Sequence, residues 1–440
     1  MATTGRGGRN LISSNWKVLA IGLAFLSAAC SGSAPPQEPV QAASGGGEGY
    51  KTLGRYHIQP QNLPAPYATK STAAPPEVIP RPAGAQLVMP PGFTIQTYAE
   101  GELEMPRELA LASNGDVFVA DSSSGRIVIL RDENHDGRAD RRFVFASGLN
   151  QPYGMAFWKD FFYVGNTDAV VRFKYKPGQT RAEGAPEQIA SLPGRGYRQH
   201  WTRNLLFNPD GSKLYVTVGS ETNVDVEKHP MRAAISEFNP DGTGFRVFAR
   251  GTRNPLGVAF YPGTNTLWAA VQERDLLGDD LVPDYVTEVK EGAFYGWPFA
   301  YTGRAVDPRH QGERPDLVAK AVDPDVLIQA HSAVMDLVFY TGSMFPAEYR
   351  GDAFMALHGS WNRSKRTGYK IVRVRFKDGR PLGGYEDFLV GWMIDPQSRE
   401  VWGRPVGLLV LSDGSLLISD DGANKIWRVS YSAPDGSTAR

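Results

Sequence analysis

Three times this chain carries a Pro-x-Gly tripeptide just before a pair of short apolar runs: Pro152-Tyr153-Gly154, Pro255-Leu256-Gly257 and Pro405-Val406-Gly407. Related openings stand at Met105-Pro106, at Arg203-Asn204 and near Met335-Asp336. The runs that follow are split by turn residues, Asn114-Gly115 within 109–120 and Asp210-Gly211 within 205–216. The same figure returns at 258–269, 408–418 and, more weakly, 155–164. Asn-Gly or Asp-Gly between apolar runs is the strongest short-range hairpin signal, because these residues tolerate the positive φ of a tight turn. Nowhere does the chain show the apolar periodicity of an amphipathic helix of ordinary length. Six openings spaced roughly 45 to 80 residues apart suit four-stranded blades of about 40–50 residues plus insertions. The expectation is an all-β chain, a six-bladed β-propeller over residues 92–432. A large β-sandwich, or two β domains, accounts less well for the recurring openings.

The N-terminus reads differently. Arg6, Arg9 and Lys17 precede a nine-residue apolar run over 18–26, followed by Ser27, Ala28, Ala29 and Cys30. Such a run is too short for a bilayer-spanning helix, so 1–29 reads as an export signal peptide. The small residues before Cys30 resemble the lipobox of bacterial lipoproteins, with Ser27 where leucine is usual. That resemblance implies lipidation of Cys30 and a protein held at the periplasmic face by a lipid anchor alone. Ordinary cleavage, leaving a soluble periplasmic protein, is the alternative. Residues 30–91 hold 12 of the 32 prolines and Gly45, Gly46 and Gly47, and read as a disordered tether. Residues 433–440 read as a frayed tail.

Lys plus Arg and Asp plus Glu balance at 47 each, so charge gives no reason to expect a nucleic-acid partner. A single cysteine excludes an internal disulfide, a thiolate zinc site, an iron–sulfur cluster and an attached haem. Any redox chemistry therefore needs a cofactor held by other side chains. The blade openings concentrate such side chains. His200 stands with Trp201, Thr202 and Arg203 where the chain returns to an inner strand; Arg253-Asn254 takes that place in the fourth blade and Arg404 in the sixth. These three arginines and the histidine are expected to face one funnel, and fixed guanidinium groups suit a ligand with several carboxylates. A histidine hydrogen-bonded in an inter-blade loop is the plainer alternative. Dense carboxylates over 272–280 favour a hard cation such as calcium (Ca2+), against a solvated acidic loop. Asp132, Asn134, Asp136-Gly137 and Asp140 match the first half of a calcium loop, but Phe143 at its twelfth position cannot supply the bidentate carboxylate. A turn held by Asx side chains explains that segment as well.

Together, segments 200–207, 251–257, 272–280, 295–298 and 358–363 resemble the glucose/sorbosone dehydrogenase family, most nearly its L-sorbosone dehydrogenase-like branch, over roughly 92–431. Those enzymes are six-bladed propellers that use pyrroloquinoline quinone (PQQ) and calcium. The resemblance implies His200 as the catalytic base and Arg253 as partner of the quinone oxygens, with Asn254 and Gln151 as further cofactor contacts. It places calcium on the backbone carbonyls of Glu273 and Arg274, after Gln272, with Asp280 beside them. Arg363 or Lys365 would supply the fifth blade's basic residue and Arg404 the sixth's, and Arg203 is counted with the cofactor contacts. Gln199 departs from the family's aspartate before the histidine. The implied activity is oxidation of a sugar, sugar aldehyde or related alcohol by hydride transfer to PQQ, with electrons passing to an external acceptor such as a periplasmic cytochrome or quinone. A calcium-dependent lactonase or esterase propeller, and a non-catalytic propeller that binds glycan or protein, are the rival readings.

Overall fold

A computed structural model describes residues 51–196 and 200–433. The expected export signal, Cys30, Gln199 and residues 434–440 of the expected tail lie outside these residues. Six antiparallel sheets follow one another along the chain, as the six openings predict. Their inner strands are Pro106–Leu111, Met155–Trp158, Leu205–Phe207, Asn254–Phe260, Val334–Phe339 and Pro405–Val410, in blades 1 to 6. The ring closes on itself: Phe93–Glu100 forms the outer strand of blade 6 by pairing with Lys425–Tyr431. The one α-helix among the described residues is Pro315–Val318, inside an insertion between two strands of blade 4.

The blade strands are apolar on both faces because each is sandwiched between neighbouring blades. In Val117–Asp121, Phe118 and Ala120 pack towards blade 2 with Phe162 and Val164. Val117 and Val119 pack towards blade 6 with Leu417 and Ile426. Strands buried on both sides lose the in–out alternation of a one-sided sheet and read as continuous apolar runs.

The Pro-x-Gly openings have a steric cause. A Cβ on Gly154 would lie 2.6 Å from the Asn204 Cα, and one on Gly257 2.7 Å from the Asp336 Cα. On Gly407 it would meet the Arg107 carbonyl at 2.4 Å and the Glu108 Cα at 3.2 Å. Glycine in blades 2, 4 and 6 thus lets each inner strand press on that of the next blade. The facing polar residues staple the ring: Asn204 Nδ2 donates to the Leu256 carbonyl at 2.9 Å, and Asp336 Oδ2 accepts from the Leu408 N–H at 2.8 Å.

Glu108 is the third of these polar residues. Burial and the nearby Asp336 charge push its carboxyl well above the ordinary 4.5. A raised carboxyl binds its proton more tightly folded than unfolded. Stability is therefore fully present below the ordinary value and falls as pH rises above it. Glu108→Gln should flatten this slope, gaining roughly 1 to 3 kcal/mol over wild type at alkaline pH in denaturant titrations. Parallel pH profiles for the two proteins would count against it.

The tether expected over 30–91 needs correction from residue 51 onward. Arg55–Tyr56 pairs with Tyr385–Leu389 as a fifth strand of blade 5, and Glu77–Val78 runs parallel to Glu400–Val401. Tyr56 stacks on Tyr385 at 4.7 Å and donates its hydroxyl to Asp387, which pairs with the buried Lys370 at 2.6 Å. The segment has too few apolar residues for a core of its own. It borrows one, laying Ile58, Leu63, Ile79 and Leu87 against clusters that the blades already form. In the Asp132–Asp140 segment the acidic side chains accept backbone N–H groups, such as Gly137 on Asp132 at 2.9 Å, as an Asx-held turn requires.

Candidate active site

At the openings of blades 1, 4, 5 and 6 the pairing of inner and second strand slips register. Such bulges re-aim side chains, and here they gather on a cavity of about 250 Å³ at one end of the channel. The cavity has two polar halves.

The first half is built around His200. Its Nδ1 lies 3.2 Å from the Ser220 carbonyl, which can only accept, so Nδ1 carries the proton and Nε2 the lone pair. Burial, and then the Arg253 charge, hold the His200 imidazole well below its ordinary value, so it is neutral at neutral pH. Arg253 is held on every side: Nη1 donates to the Glu273 carbonyl at 2.7 Å, and Nη2 reaches Asn223 Oδ1 at 3.0 Å and Asp275 Oδ2 at 3.1 Å. Trp297, from the blade 4 insertion, donates to the Asn223 carbonyl at 3.0 Å and so backs this arrangement. Burial opposes the Asp275 charge, but Arg253, His331 and His200 together outweigh it and keep that carboxyl low. Burial raises Glu273 to about 8 and Asp284 to about 6. Asn254 Nδ2 donates to Gln272 Oε1 at 3.0 Å, while its own Oδ1 is buried with no partner.

The second half joins blades 1, 5 and 6. His358 Nε2 meets Asp421 Oδ1 at 2.8 Å, and Arg404 Nη2 donates to His358 Nδ1 at 2.9 Å. Burial and Arg404 push His358 down to about 4. With both ring nitrogens engaged, His358 is not poised to take a proton. Arg107 Nη1 lies 3.1 Å from Asp421 Oδ2, an ion pair without hydrogen-bond alignment, and its guanidinium sits 5.1 Å over the Trp201 ring. Arg107 Nε and Arg404 Nε are buried without partners.

Of the residues expected from sequence, the cavity brings together His200, Arg253, Asn254, Gln272, Glu273 and Arg404. The others lie off it. Gln151 sits at φ +47° in the turn before blade 2. Arg203 is fully buried beneath the loop, where its guanidinium donates to the Thr167, His200 and Thr202 carbonyls; it props the histidine's backbone. The Arg274 side chain turns away to pair with Asp307. Asp280 is half exposed and pairs with Arg363 at 2.6 Å outside the cavity, and Lys365 is exposed. The sequence reading missed Arg107, Asp275, His331, His358, Trp361 and Asp421. Arg107 stands one residue after Pro106, where the other openings carry Leu256 and Val406, so its place differs from that of Arg253 and Arg404, which precede the proline.

Two cofactors are implied, and the donor set can be tested for each. The unpartnered Arg107 Nε and Arg404 Nε, in a cavity with Trp201 and Trp361, fit a flat ligand bearing carboxylates. For calcium, no three acidic, histidine or cysteine side chains among the described residues surround one point. Main-chain oxygens would have to serve. The Glu273 carbonyl already receives Arg253 but keeps a second lone pair, so it fits.

The TrAA12-like family profile matches residues 87–292 and 300–432. The chain belongs to the TrAA12-like family. This TrAA12-like chain is 28% identical over 357 residues to an uncharacterized protein of Borreliella burgdorferi, covering 78% of this chain and 91% of that protein. It is 24% identical over 388 residues to the pyrroloquinoline quinone-dependent pyranose dehydrogenase of Coprinopsis cinerea, covering 74% of this chain but 52% of that enzyme. It thus spans about half the length of that relative. In fold it is similar to a carbohydrate-active enzyme family AA12 protein of Trichoderma reesei, with a TM-score of 0.69 and 21% identity over 81% of this chain and 99% of that one.

Proposed function

We propose that this chain is a PQQ-dependent dehydrogenase that oxidises a sugar, a sugar aldehyde of the sorbosone kind or a related alcohol. One observation carries the reading: guanidinium groups from blades 1, 4 and 6 meet a neutral histidine in a single cavity. The similarity to a PQQ-dependent pyranose dehydrogenase supports it. Arg107 and Arg404 would hold the carboxylates of PQQ, Arg253 its quinone oxygens, and the Glu273 and Arg274 carbonyls a calcium ion. When bound, PQQ supplies the two-electron acceptor for a hydride leaving the substrate carbon.

The protein's own part is proton handling and orientation. Ser220 fixes the His200 ring so that Nε2 can take the substrate hydroxyl proton. Asp275, held ionised by Arg253, acts on His200 and offsets the imidazolium charge as it forms. Trp201 and Trp361 give the cavity flat apolar walls. Export with a lipid anchor at Cys30, and electron delivery to a separate periplasmic acceptor, complete the proposal. Purified protein given PQQ and calcium should bind the quinone in calorimetry and reduce a dye with at least one member of an aldose and sorbosone panel. Absence of any quinone binding would overturn the reading.

A further inference from the structure

We propose that residues 67–75 form a strap that positions the walls of the cofactor cavity, acting through Asn362. The inference rests on the quinone-dependent reading of that cavity. The strap crosses two loops, 275–280 of blade 4 and 361–364 of blade 5. On blade 4 the Tyr67 N–H donates to the Leu277 carbonyl at 2.8 Å. The Asp279 N–H donates to Thr69 Oγ1 at 2.7 Å, and the Gly278 N–H to Ser71 Oγ at 3.1 Å. On blade 5 the Ala74 N–H donates to the Trp361 carbonyl at 2.7 Å. Asn362 is fully buried and closes the clasp: its Nδ2 donates to the Thr72 carbonyl at 3.2 Å while its Oδ1 accepts the Leu276 N–H at 2.9 Å.

Gly278 shows how closely strap and loop are fitted. It has φ +116°, and a Cβ there would lie 2.8 Å from Thr69 Oγ1 and 3.0 Å from the Thr69 carbonyl. The same Gly278 offers its carbonyl to His331 Nε2 at 2.9 Å, and His331 lines the cavity. Asp275 and Trp361, also on the cavity wall, belong to or adjoin the two strapped loops. Three residues of the cavity wall are thus linked, directly or through Gly278, to a segment that does not itself line the cavity. Leu277 anchors the first loop in an apolar cluster with Leu281, Val282 and Tyr301, while its neighbour Leu276 is exposed; the strap's bonds add to that anchor over 276–279. Thr69, Ser71 and Asn362 are positioning residues. Partners one layer behind a binding group commonly govern its affinity.

The test is the double variant Thr69→Val/Ser71→Ala, with Asn362→Ala cutting the clasp from the other side. Hydrogen exchange is measured on apoprotein, and PQQ affinity in the presence of calcium. Exchange should quicken over 331–336, which the strap does not touch, because the His331–Gly278 link is loosened. The Kd for PQQ should rise about tenfold or more, while the apoprotein Tm falls by only about 2 °C. Wild-type exchange over 331–336 with unchanged Kd overturns the proposal. So does a lower Tm with both of these unchanged, which would make the strap simple glue. If wild-type protein binds no PQQ, the quinone reading fails, and exchange over 331–336 still decides whether the strap positions the wall.

Discussion

His200→Ala should lower kcat of the PQQ-loaded protein by about 10²- to 10⁴-fold, the span of a lost general base, while PQQ affinity stays near wild type. The asymmetry follows from geometry. His200 offers one lone pair at Nε2, whereas the guanidinium groups that would hold the quinone stand on blades 1, 4 and 6. The pH dependence is a sharper test. Burial and Arg253 place the imidazole below its ordinary 6.5, so the basic form persists to lower pH than for a free histidine. The kcat of wild type should stay level across neutral pH and fall only on the acid side of 6.5. An acid limb centred at or above that value, or an alanine variant with wild-type kcat, would remove His200 from the reaction.

Asp421→Asn should cost about 3 to 5 kcal/mol of folding stability at neutral pH, because it leaves the buried Arg107 without its counter-charge and takes the carboxylate from His358. Asp421 meets Arg107 at 3.1 Å and His358 at 2.8 Å, and His358 in turn receives Arg404. Burial alone would raise this carboxyl; His358 and Arg107 overcome that and hold it well below the ordinary 3.8. A depressed folded-state value means stabilisation that is present at pH above the ordinary value and lost as pH falls below it. The gap between wild type and variant should therefore narrow in acid. Adding PQQ should raise the Tm of the variant more than that of wild type, since ligand carboxylates restore the missing negative charge. Equal stability of the two proteins at neutral pH would refute the ion-pair account.

Much of this site was legible before folding. His200, Arg253 and Arg404 each stand just ahead of an inner strand, and the repeat marks those places. Arg107 was passed over because it lies inside its strand, where blades 2, 4 and 6 have Tyr153, Leu256 and Val406, and because Glu108 replaces their glycine. The structure shows why: the glycines of the even blades press against Asn204, Asp336 and Glu108 of the odd ones, so the motif alternates round the ring. Arg203 is the opposite error. Spacing put it at an opening, but its side chain turns under the loop to five backbone carbonyls. Proline content likewise pointed to a tether at 51–91, because composition reports whether a segment can build a core and not whether it can lie on another.

Strand, hairpin and blade number are written in short windows of the chain, since turn chemistry at Asn114-Gly115 or Asp210-Gly211 and apolar runs act over a few residues. Those windows sufficed for six blades and for the arginines at their openings. The partnerships that give those arginines their chemistry are another matter. Arg107 of blade 1 reaches Asp421 of blade 6, and Thr69 reaches Asp279, only after Phe93–Glu100 joins the last blade and shuts the ring. No local pattern contains both members of such a pair. Ring closure and blade packing choose them, and with them the charge state of every group in the cavity.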